Sequence, residues 1–201
     1  MSLLRNSTVR AVCVLQSSQG IAGASQTKFE SQGIAGASQT KFESQGIAGA
    51  SQTKFESQGI AGVVYFEEFG DLTLIHGTIK GLKKNGVHAI HIHEFGDLTE
   101  GCTSCCAHYN PFNMNHGGPN SADRHVGDLG NLQANEQGIA EFKMTDNLVK
   151  LWGPYSVIGR SIVIHEDPDD FGLGGHPDSL KTGHAGKRIV CGIIGYRSSK
   201  C

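Results

Sequence analysis

VHAIHIHEFGD occupies residues 87–97. Its first seven residues are a brief segment, rich in β-branched Val and Ile and free of Gly or Pro, the pattern of a β-strand. Side chains two apart on a strand share a face, so His91 and His93 point the same way. His88 is three residues from His91 and falls on the opposite face. The stretch then runs into Gly96 and Asp97 and loses its strand character.

Outward from this strand the same signal recurs. Ala11–Leu15, Gly59–Phe66, Leu72–Ile79, Ile139–Met144, Ser161–His165 and Ile189–Ile194 are brief, β-branched and separated by Gly or Asn turns, and Asp128–Ala134 is a weaker eighth segment. No segment carries a long helical period. Eight short strands predict an all-β, antiparallel sandwich or barrel. Two long connections, Glu94–Gly127 and Glu166–Lys187, interrupt the pattern. Long loops in a compact domain are usually functional, and these hold five of the ten histidines.

One segment stands apart. QGIAGASQTKFES at 19–31 recurs at 32–44 and 45–57, and a fourth copy begins at Gln58 before diverging into Val63. Each unit offers only Ile and Phe as large apolar groups, too little to offset the entropy of ordering it. The organisation expected is therefore the N-terminus and first strand in 1–18, a disordered tandem-repeat insertion in the first hairpin at 19–57, and the rest of the domain in 58–201.

Composition removes several function classes. A formal charge of −2 provides no basic face for nucleic acid. The longest apolar runs fall short of the ~18 residues of a membrane span. Leu3-Leu4, interrupted by Arg5 and Arg10, is no secretory apolar region, which points to the cytoplasm. On that expectation the Asn6-Ser7-Thr8 sequon is chance and the six cysteines default to thiols. Cys13 alternates inward on the first strand, as a buried thiol would.

His91 and His93 are followed by His108, His116, His125, Asp128 and His165. Six imidazoles and a carboxylate exceed one tetrahedral site, so two ions are implied. Imidazole suits copper and zinc, and His125 with Asp128 supplies the mixed nitrogen and oxygen set of zinc. His76, His88, His176 and His184 are read as non-ligands.

HIHEFGD (91–97), GCTS (101–104), HYNP (108–111), HGGP (116–119), RHVGDLGN (124–131), IGR (158–160) and GKRIVCG (186–192) together resemble the copper–zinc superoxide dismutase family. The resemblance covers about residues 10–15 and 58–196. It implies an eight-stranded Greek-key barrel that disproportionates superoxide at one copper and one zinc per chain. It implies copper ligands His91, His93, His108 and His165, and zinc ligands His108, His116, His125 and Asp128. His108 then bridges the two ions and is catalytic with Arg188. Asp169 would link His91 to His116, while Lys181, Thr182 and Arg188 would guide the anion. Cys102 and Cys191 match the family disulfide. Cys105 and Cys106 stand where small residues are usual, and Pro177 with Asp178 where acidic residues are frequent. Partners implied are superoxide, a second copy of the chain and a copper chaperone. A copper-chaperone or metal-storage module on the same fold is the alternative. The homodimer face would comprise the first strand, Phe95-Gly96, Ile158-Gly159 and the last strand, where Tyr196 replaces a smaller residue.

Overall fold

The computed structural model describes residues 8–17 and 59–198. The repeat block at 19–57, most of the sequon and Cys201 lie outside the described residues. Among those described are nine strands: β1 Val9–Gln16, β2 Ala61–Phe69, β3 Leu72–Lys80, β4 Val87–His93, β5 Thr99–Cys102, β6 Asp128–Gln133, β7 Ile139–Asp146, β8 Ser161–His165 and β9 Arg188–Tyr196. A single helical turn, α1 Ser179–Thr182, and a 3-10 turn, Thr103–Cys105, lie in the two long loops.

Eight strands form one antiparallel sheet in the order β6-β4-β8-β9-β1-β2-β3-β7. The end strands β6 and β7 contact each other, so the sheet curls into a nearly closed barrel. β1, β2 and β3 are a meander, but β3 then pairs with β7 while β4 pairs with β6 and β8. That is Greek-key connectivity, and all eight strands expected from the sequence are present. The short β5 is an addition inside the first long loop. Its four residues, TEGC, carry no alternation by which it could be recognised.

Alternation builds the core. Ala11, Cys13 and Leu15 of β1 face inward with Val64 and Phe66 of β2 and Ile75 and Ile79 of β3. Ile90, Ile92, Ile162, Ile164 and Ile194 complete the opposite wall. Each fully buried Ile or Leu stabilises the fold by roughly 1.5–3 kcal/mol.

β4 and β8 break the alternation. After Val87 every residue of β4 is buried, as is all of β8, because the long loops cover the outer face of both. Ala89 N–H donates to Asp167 O at 3.0 Å, and Tyr109 N–H donates to Ile92 O at 2.8 Å. A Cβ on Gly127 would collide with the Ile92 carbonyl, so only glycine lets the first loop lie this close. The ladder slips between Ala89 and His91 and between Ile164 and His165, and such bulges re-aim side chains.

Candidate metal centre

His91 and His93 share the outer face of β4. His165 ends the adjacent β8, and an isolated bridge pairs the backbone of His108 with that of His93. All four side chains are buried. One donor atom from each can be chosen so that the four lie within 4.8 Å of one another. Hydrogen bonds decide which nitrogen is left. His91 Nε2 lies 2.8 Å from Asp169 Oδ2, which leaves Nδ1. His93 Nδ1 lies 2.8 Å from Cys106 O, and His165 Nδ1 3.4 Å from Gly186 O, so that the two Nε2 atoms face each other at 3.3 Å. His108 Nδ1 lies 2.9 Å from Asp128 Oδ1, leaving Nε2.

Asp128, the first residue of β6, is the centre of a second cluster. Its Oδ2 accepts from the backbone N–H of Gly117 at 3.1 Å and of His125 at 2.8 Å. Its Oδ1 faces the Nδ1 atoms of His108 at 2.9 Å, His116 at 3.0 Å and His125 at 3.1 Å. Three imidazole nitrogens and one carboxylate oxygen are a tetrahedral zinc set. By mutual distance alone the second group is His91, His108, His116 and Asp128, with His91 in place of His125. The nitrogen count favours His125, because His91 has a single nitrogen left and that nitrogen belongs to the first group.

Buried nitrogens without hydrogen-bond partners test whether ions fit. Among the described residues these are His88 Nε2, His91 Nδ1, His108 Nε2 and His116 Nδ1. Leaving such an atom bare costs about 1–3 kcal/mol. Three of the four belong to the two clusters, so the donor set fits a pair of nitrogen-seeking cations. His116 Nδ1 lies near Asp128 but outside hydrogen-bonding alignment.

Asp169 joins the clusters, with Oδ1 2.8 Å from His116 Nε2 and Oδ2 2.8 Å from His91 Nε2. Asn131 holds Asp169 in turn, accepting its backbone N–H at 2.7 Å and donating to its carbonyl at 2.9 Å. Gly183 has φ +66, and a Cβ there would strike both Asp169 and His116.

The electrostatics differ across the centre. Burial, and then His108, hold His91 and His93 well below the ordinary imidazole value. The same causes bring His165 down to about 4. These rings are neutral near pH 7, with lone pairs to offer. Burial opposes the charge on Asp128, yet the hydrogen bonds from His108 and His125 and the close imidazole of His116 hold its carboxyl well below the usual range. Burial also opposes charge on His116, but Asp128 and Asp169 together raise it to about 9.

A cavity of about 710 Å³ opens onto His93, His108 and His165, and its wall includes Lys181, Thr182 and Arg188. Lys181 and Thr182 sit on α1, and Arg188 begins β9. The Arg188 guanidinium donates through Nη1 to Cys102 O at 2.7 Å and through Nη2 to Cys106 O at 2.6 Å. Cys102 and Cys191 form a disulfide across 89 residues, tying the first loop to β9. In the chain-entropy account such a closure is worth on the order of 4 kcal/mol. Cys13, Cys105 and Cys106 are free thiols.

The other histidines stay outside both clusters. His76 lies against Tyr65, and His176 stacks on His184 at 3.7 Å. His88 Nδ1 lies 2.9 Å from the His165 carbonyl. Three supporting groups escaped the sequence reading: His88, Arg124 and the Cys106 carbonyl. Arg124 forms a buried ion pair with Asp146 at 2.6 Å and donates to Asp128 O at 3.0 Å, which fixes the turn carrying His125. Its position just before His125 was the available signal. The Cys106 carbonyl accepts from both His93 and Arg188, and a backbone atom has no sequence signal.

A family model described as copper/zinc superoxide dismutase matches residues 60–194. The Cu-Zn superoxide dismutase of Paramecium bursaria Chlorella virus 1 is 56% identical over 133 residues, covering 66% of this chain and 71% of the relative. Cu-Zn superoxide dismutase A of Xenopus laevis is 55% identical over 136 residues, covering 67% of this chain and 88% of the relative. The Cu-Zn superoxide dismutase of Cryptococcus neoformans is 52% identical over 121 residues, covering 60% and 79%.

Proposed function

The chain belongs to the copper/zinc superoxide dismutase family, and on that premise we propose how its side chains divide the work. The reaction is the disproportionation of superoxide: two superoxide anions and two protons give dioxygen and hydrogen peroxide. Copper and zinc are the cofactors. We assign copper to His91 Nδ1 and the Nε2 atoms of His93, His108 and His165. Zinc goes to the Nδ1 atoms of His108, His116 and His125 with Asp128 Oδ1. One ion of each binds per chain. The carrying observation is His108, whose Nδ1 faces Asp128 while its Nε2 is buried and bare.

When bound, copper supplies a one-electron redox couple and zinc a fixed positive charge. The rest falls to the chain. Superoxide enters the cavity along Lys181, Thr182 and Arg188, where a positive wall in a cleft raises the local anion concentration. Arg188 orients the anion with the donors its carbonyl contacts leave over. His108 Nε2 can take up and release a proton without losing its ring position, because Nδ1 remains held on the Asp128 side. Asp169 fixes the tautomers of His91 and His116 through their Nε2 atoms.

The test is superoxide consumption by protein stripped of metal and then reconstituted with copper and zinc. Metal-dependent consumption is expected. Copper uptake without consumption would favour the chaperone or storage reading.

We further propose a homodimer and a cytoplasmic location. Phe95 and Ile193 are about half exposed and Tyr196 more so. Gly96, Gly159 and Ile193 pack together, giving one continuous face for a second copy. Sedimentation should return twice the chain mass, and Phe95→Ser should return the monomer. No helix among the described residues is long and apolar enough to cross a membrane. In that compartment a copper-delivering partner would load the site.

A further inference from the structure

Cys102, Cys105 and Cys191 meet beside Arg188. Cys102 precedes the 3-10 turn Thr103–Cys105, and Cys105 ends it. With three residues per turn, side chains three apart eclipse, so these two sulfurs rise on the same side. Cys105 is fully buried in a small apolar cluster with Val163 and Cys191, and Cys102 packs against that cluster. Its thiol makes a long contact, 3.6 Å, to Asp97 O. The other two free thiols among the described residues are placed differently. Cys13 belongs to the main barrel core, where burial pushes it up to about 12 and keeps it protonated. Cys106 is exposed.

We propose that the Cys102–Cys191 disulfide exchanges with the Cys105 thiol, and that the re-paired form loosens Arg188. The Cys105 thiolate attacks Cys191 Sγ. The Cys105–Cys191 bond forms as the Cys102–Cys191 bond breaks, and Cys102 leaves as a thiolate that takes up a proton. The number of disulfides is unchanged, so no oxidant or reductant is consumed; net, one proton moves from Cys105 to Cys102. Strand β9 is then held at a point three residues farther along the loop.

Arg188 reads that change because its acceptors lie in the same segment. Nη1 bonds to Cys102 O and Nη2 to Cys106 O, while Cys191 is three residues from Arg188 on β9. Moving the tether from Cys102 to Cys105 shifts both carbonyls against the guanidinium. His93 shares the Cys106 carbonyl, but its metal-facing nitrogen is Nε2, and three other side chains complete that set. Metal should therefore stay while turnover falls. This consequence rests on the guiding role assigned to Arg188; the exchange itself does not.

The experiment has a pairing arm and an activity arm. Metal-loaded wild type is incubated with reduced and oxidised glutathione, alkylated, digested without reduction and sequenced by tandem mass spectrometry. Fragmentation between Thr103 and Ser104 separates Cys102 from Cys105. A Cys105–Cys191 peptide is expected in wild type and should be absent from Cys105→Ala, which keeps full activity. In Cys102→Ser the same peptide should replace the native one, and in Cys102→Ser/Cys105→Ala Cys191 should be alkylated. Absence of the Cys105–Cys191 peptide from wild type, or pairing of Cys191 with Cys106 or Cys13 instead, overturns the exchange. In the activity arm, Cys102→Ser should keep copper and zinc and lose superoxide consumption per copper. Re-pairing with an unchanged rate overturns the coupling to Arg188 alone.

Discussion

Arg188 donates to two carbonyls four residues apart, Cys102 O and Cys106 O, so its charge is held at a fixed point of the cavity wall. Lysine has the charge but not the planar fork, and cannot reproduce both contacts. Arg188→Ala should keep both metals and lower activity strongly, whereas Arg188→Lys should retain part of it. The wild-type rate should also fall as salt rises, because screening weakens steering. A rate indifferent to ionic strength would contradict the guiding role. Protonation is the second residue-scale consequence. Burial, helped by His108, keeps His91 and His93 well below 6.5 and His165 at about 4 in the metal-free protein. A histidine lowered on folding stabilises the native state above its unfolded value of about 6.5 and loses that contribution as pH falls. His116, raised to about 9, has the opposite sign: its contribution is intact below 6.5 and lost toward 9. The metal-free protein should thus melt at its highest temperature near neutrality. Its melting temperature should drop between pH 6.5 and 4, with His165 alone worth roughly 3 kcal/mol across that window. A flat melting temperature over this range would count against buried neutral imidazoles.

At the scale of elements, β1 and β2 pair down to Gln16 and Ala61, and Ser17 N–H donates to Ile60 O at 2.9 Å. The sheet itself therefore brings together the described residues that flank the repeat block, Ser17 and Ile60. Joining Ser18 to Gln58 by deleting 19–57 should leave a short turn and every metal donor in place. Loop closure costs about 0.6 kcal/mol per doubling of length, so the shortened chain should gain roughly 2 kcal/mol and keep its activity per copper. Early trypsin cleavage at Lys28, Lys41 and Lys54 should vanish with the block. Failure of the deleted chain to fold would make the block part of the structure. Strands with clear alternation, such as AEFKMT at 140–145, were legible because one face meets the core and the other water. β4 was legible for another reason, its β-branched run, since loops cover its outer face. β5 was not legible, being four residues with no apolar period. Nor was the Arg124–Asp146 pair, whose partners sit 22 residues apart in a loop and at a strand end.

At the scale of the whole molecule, the barrel is a frame that holds two loops over one face of β4. The proposed donors come from β4, β6, β8 and the first loop, while Asp169 of the second loop ties two of them together. The donor types and their order along the chain were readable, because imidazoles two apart on a strand must share a face. Which nitrogen of each ring faces the centre was not readable: that depends on Cys106 O, Gly186 O and the two oxygens of Asp169, contacts that exist only after folding. His108 is where the two clusters meet, with Nδ1 on the Asp128 side and a bare Nε2 on the other. It lies outside the barrel core, so His108→Ala should fold. The most direct measurement is the rate of superoxide loss per copper for His108→Ala, prepared with copper and zinc alongside the wild type. Wild type should bind one of each ion and turn over, and the variant should fold and lose most of its activity; full activity in the variant would contradict the shared-imidazole centre.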